Sequence, residues 1–456
     1  MTTLSSSQQE PELRFGTDGV RGKANAELTP YIALKLGLAA ASVLARHATD
    51  RRVIVGRDTR ISGDMLESAL NSGLASNGAR VVNVGVIPTP GVSQMLLHTG
   101  ASAGVVISAS HNPYGDNGIK FFGPDGKKLS DEVEEEIEIA MEDWRSLPHP
   151  VGGDIGRIED RPGLTQAYAN KVVAAAPCLL HGLKLVLDCA NGATYDLAPA
   201  IFAELGADVV AIHTSPNGIN INAHCGSTHP EDMCAIVKAV GADAGLAFDG
   251  DGDRVMMCDS QGAMVDGDRM MYIQAMVLKR ENKLAGNQVI ATIMSNAGLE
   301  VALDMEGIHL VRTDVGDRYV AEEMVRSGAV IGGEQSGHLL LPLVTPTGDG
   351  MVTGLQVLGA MASSGKTLKE LSSPVVSCPQ ILRNIKVRDR VGWQNVPEIS
   401  RAIEEARAKV SKPEWLSVRA SGTEPLVRVM AQDTDRARVE STVSELCALI
   451  QERFGV

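Results

Sequence analysis

The apolar positions of this chain follow two rhythms. Short runs of branched apolar residues, bounded by glycine and polar residues, alternate with longer stretches where apolar side chains recur every three or four positions. The first pattern is that of a strand buried on both faces, the second that of a helix with one buried face. Runs at 52–55, 80–86 and 105–107 predict three strands, with a helix at about 64–76 between the first two. Thr29-Pro30 opens an earlier helix, with threonine as cap and proline in the first turn. Ser130-Asp131-Glu132 opens another, acidic residues lying at its positive end. The rhythm repeats with strands at 183–187, 207–212 and 245–248 around a helix at 195–205. It returns with strands near 289–293, 309–312 and 329–331. Alternation of this kind predicts mixed or parallel sheets with helices on their faces.

From about residue 372 the pattern changes. A strand at 381–387, a helix at 398–408, two short strands around 419–428 and a closing helix at 436–453 predict a small α+β unit. The expected fold is therefore α/β: three similar α/β domains with mixed or parallel sheets, and a smaller C-terminal α+β domain, around a central cleft. The expected boundaries are 1–157, 158–258, 259–371 and 372–456.

The polar loops after the strands carry the chemistry. Ser110 follows the run Val105-Val106-Ile107, where open α/β sheets place their ligands. Its hydroxyl can be a nucleophile, a helix cap or an ordinary loop residue. Asp249, Asp251 and Asp253 alternate with glycines after an apolar strand. Like charges this close repel by about 4 kcal/mol per pair near a protein surface. A divalent cation removes that cost, and oxygen-only ligands suit Mg²⁺; the plainer reading is a solvated acidic turn. The stretch from Arg419 to Arg428 offers two guanidinium forks, the hydroxyls of Ser421 and Thr423, and the exposed backbone of Gly422. That set suits an anion, or a capped turn between strands. Glu334, Ser336 and His338 supply groups suited to neutral hydroxyls, as on a sugar. Arg14 and Arg21 flank a glycine-rich loop able to approach an anion closely.

Charge and cysteine usage narrow the class. The net charge of −14 opposes binding to a nucleic acid backbone or an anionic membrane, so anion-binding groups must be concentrated locally. Seven cysteines without a Cys-x-x-Cys pair argue against a disulfide framework or structural zinc, and for a reducing, cytoplasmic setting. Residues 1–11 read as a frayed tail without the order of a signal peptide.

Four motifs together resemble the α-D-phosphohexomutase superfamily along nearly the whole chain: Ser-Ala-Ser-His-Asn-Pro at 108–113, Asp-Gly-Asp-Gly-Asp-Arg at 249–254, Gly-Glu-Gln-Ser-Gly-His at 333–338 and Arg-Ala-Ser-Gly-Thr-Glu-Pro at 419–425. Phe15 to Gly22, Asp58 to Gly63, Asn220-Ile221-Asn222, Cys225 to His229 and Val315 to Tyr319 are most similar to the bacterial branch that interconverts glucosamine 6-phosphate and glucosamine 1-phosphate for cell-wall amino sugars. The resemblance implies that Ser110 is a phosphoserine, primed by a sugar bisphosphate or another phosphoryl donor. It implies Mg²⁺ held by Asp249, Asp251, Asp253 and the Ser110 phosphate. Glu334 and Ser336 would read sugar hydroxyls, with Arg254 also in the substrate-binding set. Arg419, Ser421, Gly422, Thr423 and Arg428 would hold the non-reacting phosphate. Arg21, His111, Lys120 and His338 would surround the transfer, with Lys120, its pKa lowered by nearby cations, the first choice of general base and His338 the second. Where many relatives carry lysine this chain has Asp314, so no catalytic cation is assigned there. The implied partner is a small phosphosugar, with no nucleic acid and no membrane, and a homodimer is allowed. Three alternatives remain at this point: a glucose or mannose phosphomutase of the same family, a haloacid-dehalogenase-like phosphatase with Asp249 as nucleophile, and a phosphosugar sensor without turnover.

Overall fold

The computed structural model describes residues 14–16, 18–47, 50–389, 391–421 and 425–456. The expected tail at 1–11 lies outside them, as do Gly422 and Thr423. The chain divides into two compact units: residues 1–267 with 336–369, and residues 268–335 with 370–456.

The first unit holds two sheets. In the larger, seven strands run in the order Phe15–Gly16, Gly19–Lys23, Asp116–Phe122, Ala103–Ile107, Arg52–Arg57, Arg80–Val86, Ile158–Asp160. The Arg52–Arg57 strand is parallel to both of its neighbours, whereas Ala103–Ile107 and Asp116–Phe122 are antiparallel, so the sheet is mixed. All five residues of Ala103–Ile107 are buried, which explains the unbroken apolar run. Helices Pro30–His47 and Gly63–Ser76 pack against each other and against this sheet through Leu36, Leu66, Leu70, Val55 and Val105. Their crossing is close because glycine meets glycine. A Cβ on Gly37 would strike the Leu70 carbonyl, and one on Gly73 the Leu34 carbonyl.

The second sheet runs Met264–Val265, Val255–Asp259, Ala244–Phe248, Lys184–Asp188, Asp208–Ile212. Its last three strands are parallel, while Ala244–Phe248 and Val255–Asp259 form an antiparallel hairpin that closes at Phe248 opposite Val255. The aspartate motif is the connection of that hairpin.

In the other unit, Gln288–Thr292 pairs in parallel with His309–Thr313 and with Gly332–Gly333. The strand expected at 329–331 is thus displaced toward the motif. Ala329 and Ile331 are buried, but paired residues begin at Gly332, after the Ile331 carbonyl accepts from Ile290. The antiparallel sheet Gln380–Lys386, Leu426–Gln432, Leu416–Ala420 carries helices Pro397–Lys409 and Arg436–Phe454, with Val427, Val429, Val443, Leu446 and Ile450 in the shared core.

Glu300 ties these two parts of the unit together. It accepts from Lys412 at 2.5 Å, Trp415 Nε1 at 2.8 Å and Arg312 at 3.0 Å, and both carboxylate and guanidinium are nearly inaccessible. Burial alone would raise its pKa, but Lys412, Trp415 and Arg312 outweigh that, and it lies below the usual 4.5. Removing one member of such a cluster strands the others, at a cost of about 3–5 kcal/mol. Glu300→Ala is expected to lose that much in urea unfolding. The carboxylate's contribution is complete above pH 4.5 and is lost as pH falls through the depressed folded value. Glu300→Gln should therefore flatten the acid limb of stability.

Candidate active site

The Ala103–Ile107 strand ends at a turn that places Ser110 in the left-handed region, with φ of 50°. A non-glycine residue stays there only when its surroundings hold it. Here the holder is Arg60, with Asp58. Asp58 is fully buried and Arg60 is 1% exposed, and their charges meet at 2.8 Å. The guanidinium donates to the carbonyls of Ser110 and Asn112, each at 2.8 Å, to Asp116 at 3.1 Å, and to Pro113. Asp58 accepts from Ser108 Oγ at 2.6 Å, and Ser108 Oγ in turn accepts from the Ser110 amide at 3.0 Å. Asn222, from the second sheet's loops, donates to the Ser110 carbonyl at 2.8 Å and that of Asn112 at 3.1 Å. The carbonyls of Ser110, Asn112 and Pro113 and the amide of Ser110 thus have fixed partners, which aim the Ser110 side chain.

It is aimed at the aspartate loop. Ser110 Oγ donates to Asp249 Oδ2 at 2.6 Å. The two loops touch through Gly250, where a Cβ would come 2.6 Å from the Ser110 carbonyl oxygen, so the glycine is a requirement of close approach. Asp249, Asp251 and Asp253 are all buried, and each offers an oxygen within 4.8 Å of the others. Burial and the two neighbouring carboxylates push the Asp249 carboxyl well up. Asp253 goes the other way: the adjacent His338 above all, with Lys120 and Arg254, outweighs burial and holds it low. Oδ1 of Asp251 and Oδ1 of Asp253 are buried without a hydrogen-bond partner. Crowded, inaccessible carboxylate oxygens with unused acceptor capacity fit a cation, and the donor set is all oxygen.

Lys120 is enclosed on the other side of Asp251. Its ammonium lies 2.9 Å from both Asp251 Oδ2 and Asp18 Oδ2. Burial opposes its charge, but Asp18, Asp251 and Asp253 outweigh burial and raise its pKa. The expectation that nearby cations lower it is therefore overturned: the groups that dominate around Lys120 are carboxylates. Asp18 also binds Lys128 at 2.7 Å and pairs with Arg21. His111 Nδ1 is 3.4 Å from Ser110 Oγ. Burial, then Arg254 and Arg21, lower its pKa. His338 Nδ1 is 3.5 Å from Asp253. Ser110, His111, Lys120, Arg21, Arg254, His338 and the three aspartates thus belong to one unit, as does the exposed Ser336. Asp18, Asp58, Arg60 and Asn222 were not singled out as site residues from sequence. All four lie in stretches that carry the family resemblance, Phe15 to Gly22, Asp58 to Gly63 and Asn220 to Asn222, which is the signal that points to them.

The other unit contains Glu334, which is buried, and the arginine loop. Arg419 and Arg428 are direct cross-strand partners, a placement that repels. Burial and then Arg428 lower the Arg419 pKa, with Asp314 opposing them. Arg428 Nε is buried without a hydrogen-bond partner, and the Ser421 amide donates to the Leu426 carbonyl at 2.8 Å. Two guanidinium groups on paired residues, one with a buried unused donor, suit an anion.

Comparison with known proteins places the chain in a family. Four family models of the phosphoglucomutase/phosphomannomutase type match in order: alpha/beta/alpha domain I at 12–147, domain II at 166–262, domain III at 266–377 and the C-terminal domain at 382–449. A phosphoglucosamine mutase of Desulforamulus reducens is 49% identical over 96% of this chain and 98% of its own. That of Moorella thermoacetica is 51% identical over 95% and 98%. The crystal structure of a phosphoglucomutase/phosphomannomutase family protein from Burkholderia thailandensis, 24% identical, superposes with a TM-score of 0.81 over 98% of this chain and 100% of that one, and shares the fold. The chain belongs to the phosphoglucomutase/phosphomannomutase family of phosphohexomutases, alongside its phosphoglucosamine mutases.

Proposed function

We propose that this protein interconverts glucosamine 6-phosphate and glucosamine 1-phosphate, with Ser110 carrying a phosphoryl group between them. The observation that carries the reading is the Ser110 hydroxyl, fixed in a left-handed turn and set 2.6 Å from a buried aspartate cluster. The sugar assignment is supported by near-full-length relatives named phosphoglucosamine mutase.

Phosphoserine 110 gives its phosphoryl group to a sugar hydroxyl. The Ser110 Oγ–P bond breaks as the sugar O–P bond forms, and the hydroxyl proton passes to a base. The resulting bisphosphate returns its other phosphoryl group to Ser110 by the reverse chemistry. Asp249, Asp251 and Asp253 would hold Mg²⁺, which when bound offsets the charge on the transferring group. Lys120, kept charged between Asp18 and Asp251, stabilises negative charge and is not the base. The proton goes to an imidazole, and His111, 3.4 Å from Ser110 Oγ, is better placed than a charged lysine. Glu334 and Ser336 would orient the sugar, and Arg419, Ser421 and Arg428 its second phosphate, with Gly422 and Thr423 assigned to that clamp on the family motif.

Ser110→Ala should reduce turnover by at least about 10³-fold. Peptide mass spectrometry after incubation with the sugar bisphosphate should find phosphate on Ser110; finding it elsewhere, with the variant still active, would sink the reading. In a coupled assay glucosamine 6-phosphate should be clearly preferred over glucose 6-phosphate and mannose 6-phosphate. Chelation with EDTA should abolish activity and excess Mg²⁺ restore it, whereas Asp251→Asn should shift the Mg²⁺ requirement upward at least about tenfold.

A further inference from the structure

A second group of ligating side chains stands at the carboxyl end of the second sheet. Asp188 is the last residue of the Lys184–Asp188 strand, and His213 follows its parallel neighbour Asp208–Ile212. Cys225 arrives on the loop that precedes helix Glu231–Val240. A carboxylate oxygen, an imidazole nitrogen and the thiol sulfur all lie within 4.8 Å of one another. Asp188 and Cys225 are buried, and the His213 side chain is 26% exposed. His213 Nδ1 sits 3.0 Å from Asp188 Oδ1, yet this nitrogen is buried and lacks the alignment of a hydrogen bond to any partner. The carboxylate is oriented from behind by the amides of Ala190 and Gly226, each at 2.9 Å, as outer partners orient a ligating group. None of these residues has a place in the phosphoryl transfer above.

We propose that Asp188, His213 and Cys225 form a second metal site, which takes Zn²⁺ with a fourth position open toward solvent. One oxygen, one nitrogen and one sulfur ligand match a borderline-soft cation, whereas the three aspartates offer oxygen alone. On tetrahedral zinc, ligand atoms at about 2.0–2.3 Å from the ion stand roughly 3.3–3.8 Å apart, within reach of small side-chain adjustments here. Burial and Asp188 push the Cys225 thiol up to about 12, so the metal-free group is protonated. On binding, the S–H bond breaks as the S–Zn bond forms, and the proton leaves to water. Access is from the His213 side, where Nε2 faces the exposed Asp232 carboxylate at 3.6 Å. Occupancy would pin the segment that carries Asn222, three residues before Cys225, and hence the amide that holds the Ser110 carbonyl.

Co²⁺ distinguishes the two sites, because only a thiolate ligand gives an intense near-ultraviolet charge-transfer band. The full-length, metal-stripped protein is titrated with Co²⁺ in excess Mg²⁺. The expected result is a thiolate band that saturates at one equivalent, is displaced by Zn²⁺, persists in Asp251→Asn and is absent in Cys225→Ser. His213→Asn, which tolerates the φ of 50° at this position, should weaken Co²⁺ binding at least tenfold. No thiolate band in the unaltered protein, or a band that survives Cys225→Ser, would overturn the site and leave a hydrogen-bonding cluster beside an inert thiol. Neither result depends on mutase activity.

Discussion

One ion pair without access to water underlies the active site. Asp58 and Arg60 neutralise each other inside the first unit, and the guanidinium spends its remaining donors on the main chain of the serine turn. Burying such a pair brings little net stability, because desolvation consumes most of the attraction. What it supplies is geometry. Four carbonyls converge on one planar fork, which braces the turn where Ser110 takes a positive φ. A lysine there would carry the same charge without that planar fan of donors.

The electrostatics of the site are arranged in alternation. Arg21 pairs with Asp18, Lys120 is held between Asp18 and Asp251, and the His338 imidazole stands beside Asp253. Locally concentrated cations, held by carboxylate partners, let a protein of net charge −14 handle an anionic group, while Asp249 is left among like charges. The arginine loop solves the same problem in the other unit, by setting two guanidinium groups across one strand pair.

The architecture was legible because its signals are local. The buried run at 105–107, the apolar approach to Asp249 and the cap at Thr29 each reflect a few adjacent residues, and each appears where the pattern put it. Paired residues in the last strand of the third repeat begin three positions later than expected, because burial of Ala329 and Ile331 does not require ladder pairing. The site was legible wherever chemistry is concentrated in one motif. It was not legible where partners are distant in sequence. Asp18 meets Lys120 across about a hundred residues, and Asn222 meets Ser110 across 112. The misjudged Lys120 shows the same limit: counting cations in nearby motifs could not reveal that two carboxylates enclose it.

The serine turn and the aspartate loop rise from different sheets, and hydrogen bonds join the loops around them. The Thr89 amide donates to the Asp251 carbonyl at 2.8 Å, its hydroxyl to the Asp251 carboxylate at 2.6 Å, and Thr59 Oγ1 to the Asn191 carbonyl at 2.5 Å. Donor oxygen and carboxylate cluster are therefore held against each other as one anvil. A reaction that must present first one end of a hexose and then the other to that anvil leaves the reorientation to the sugar itself.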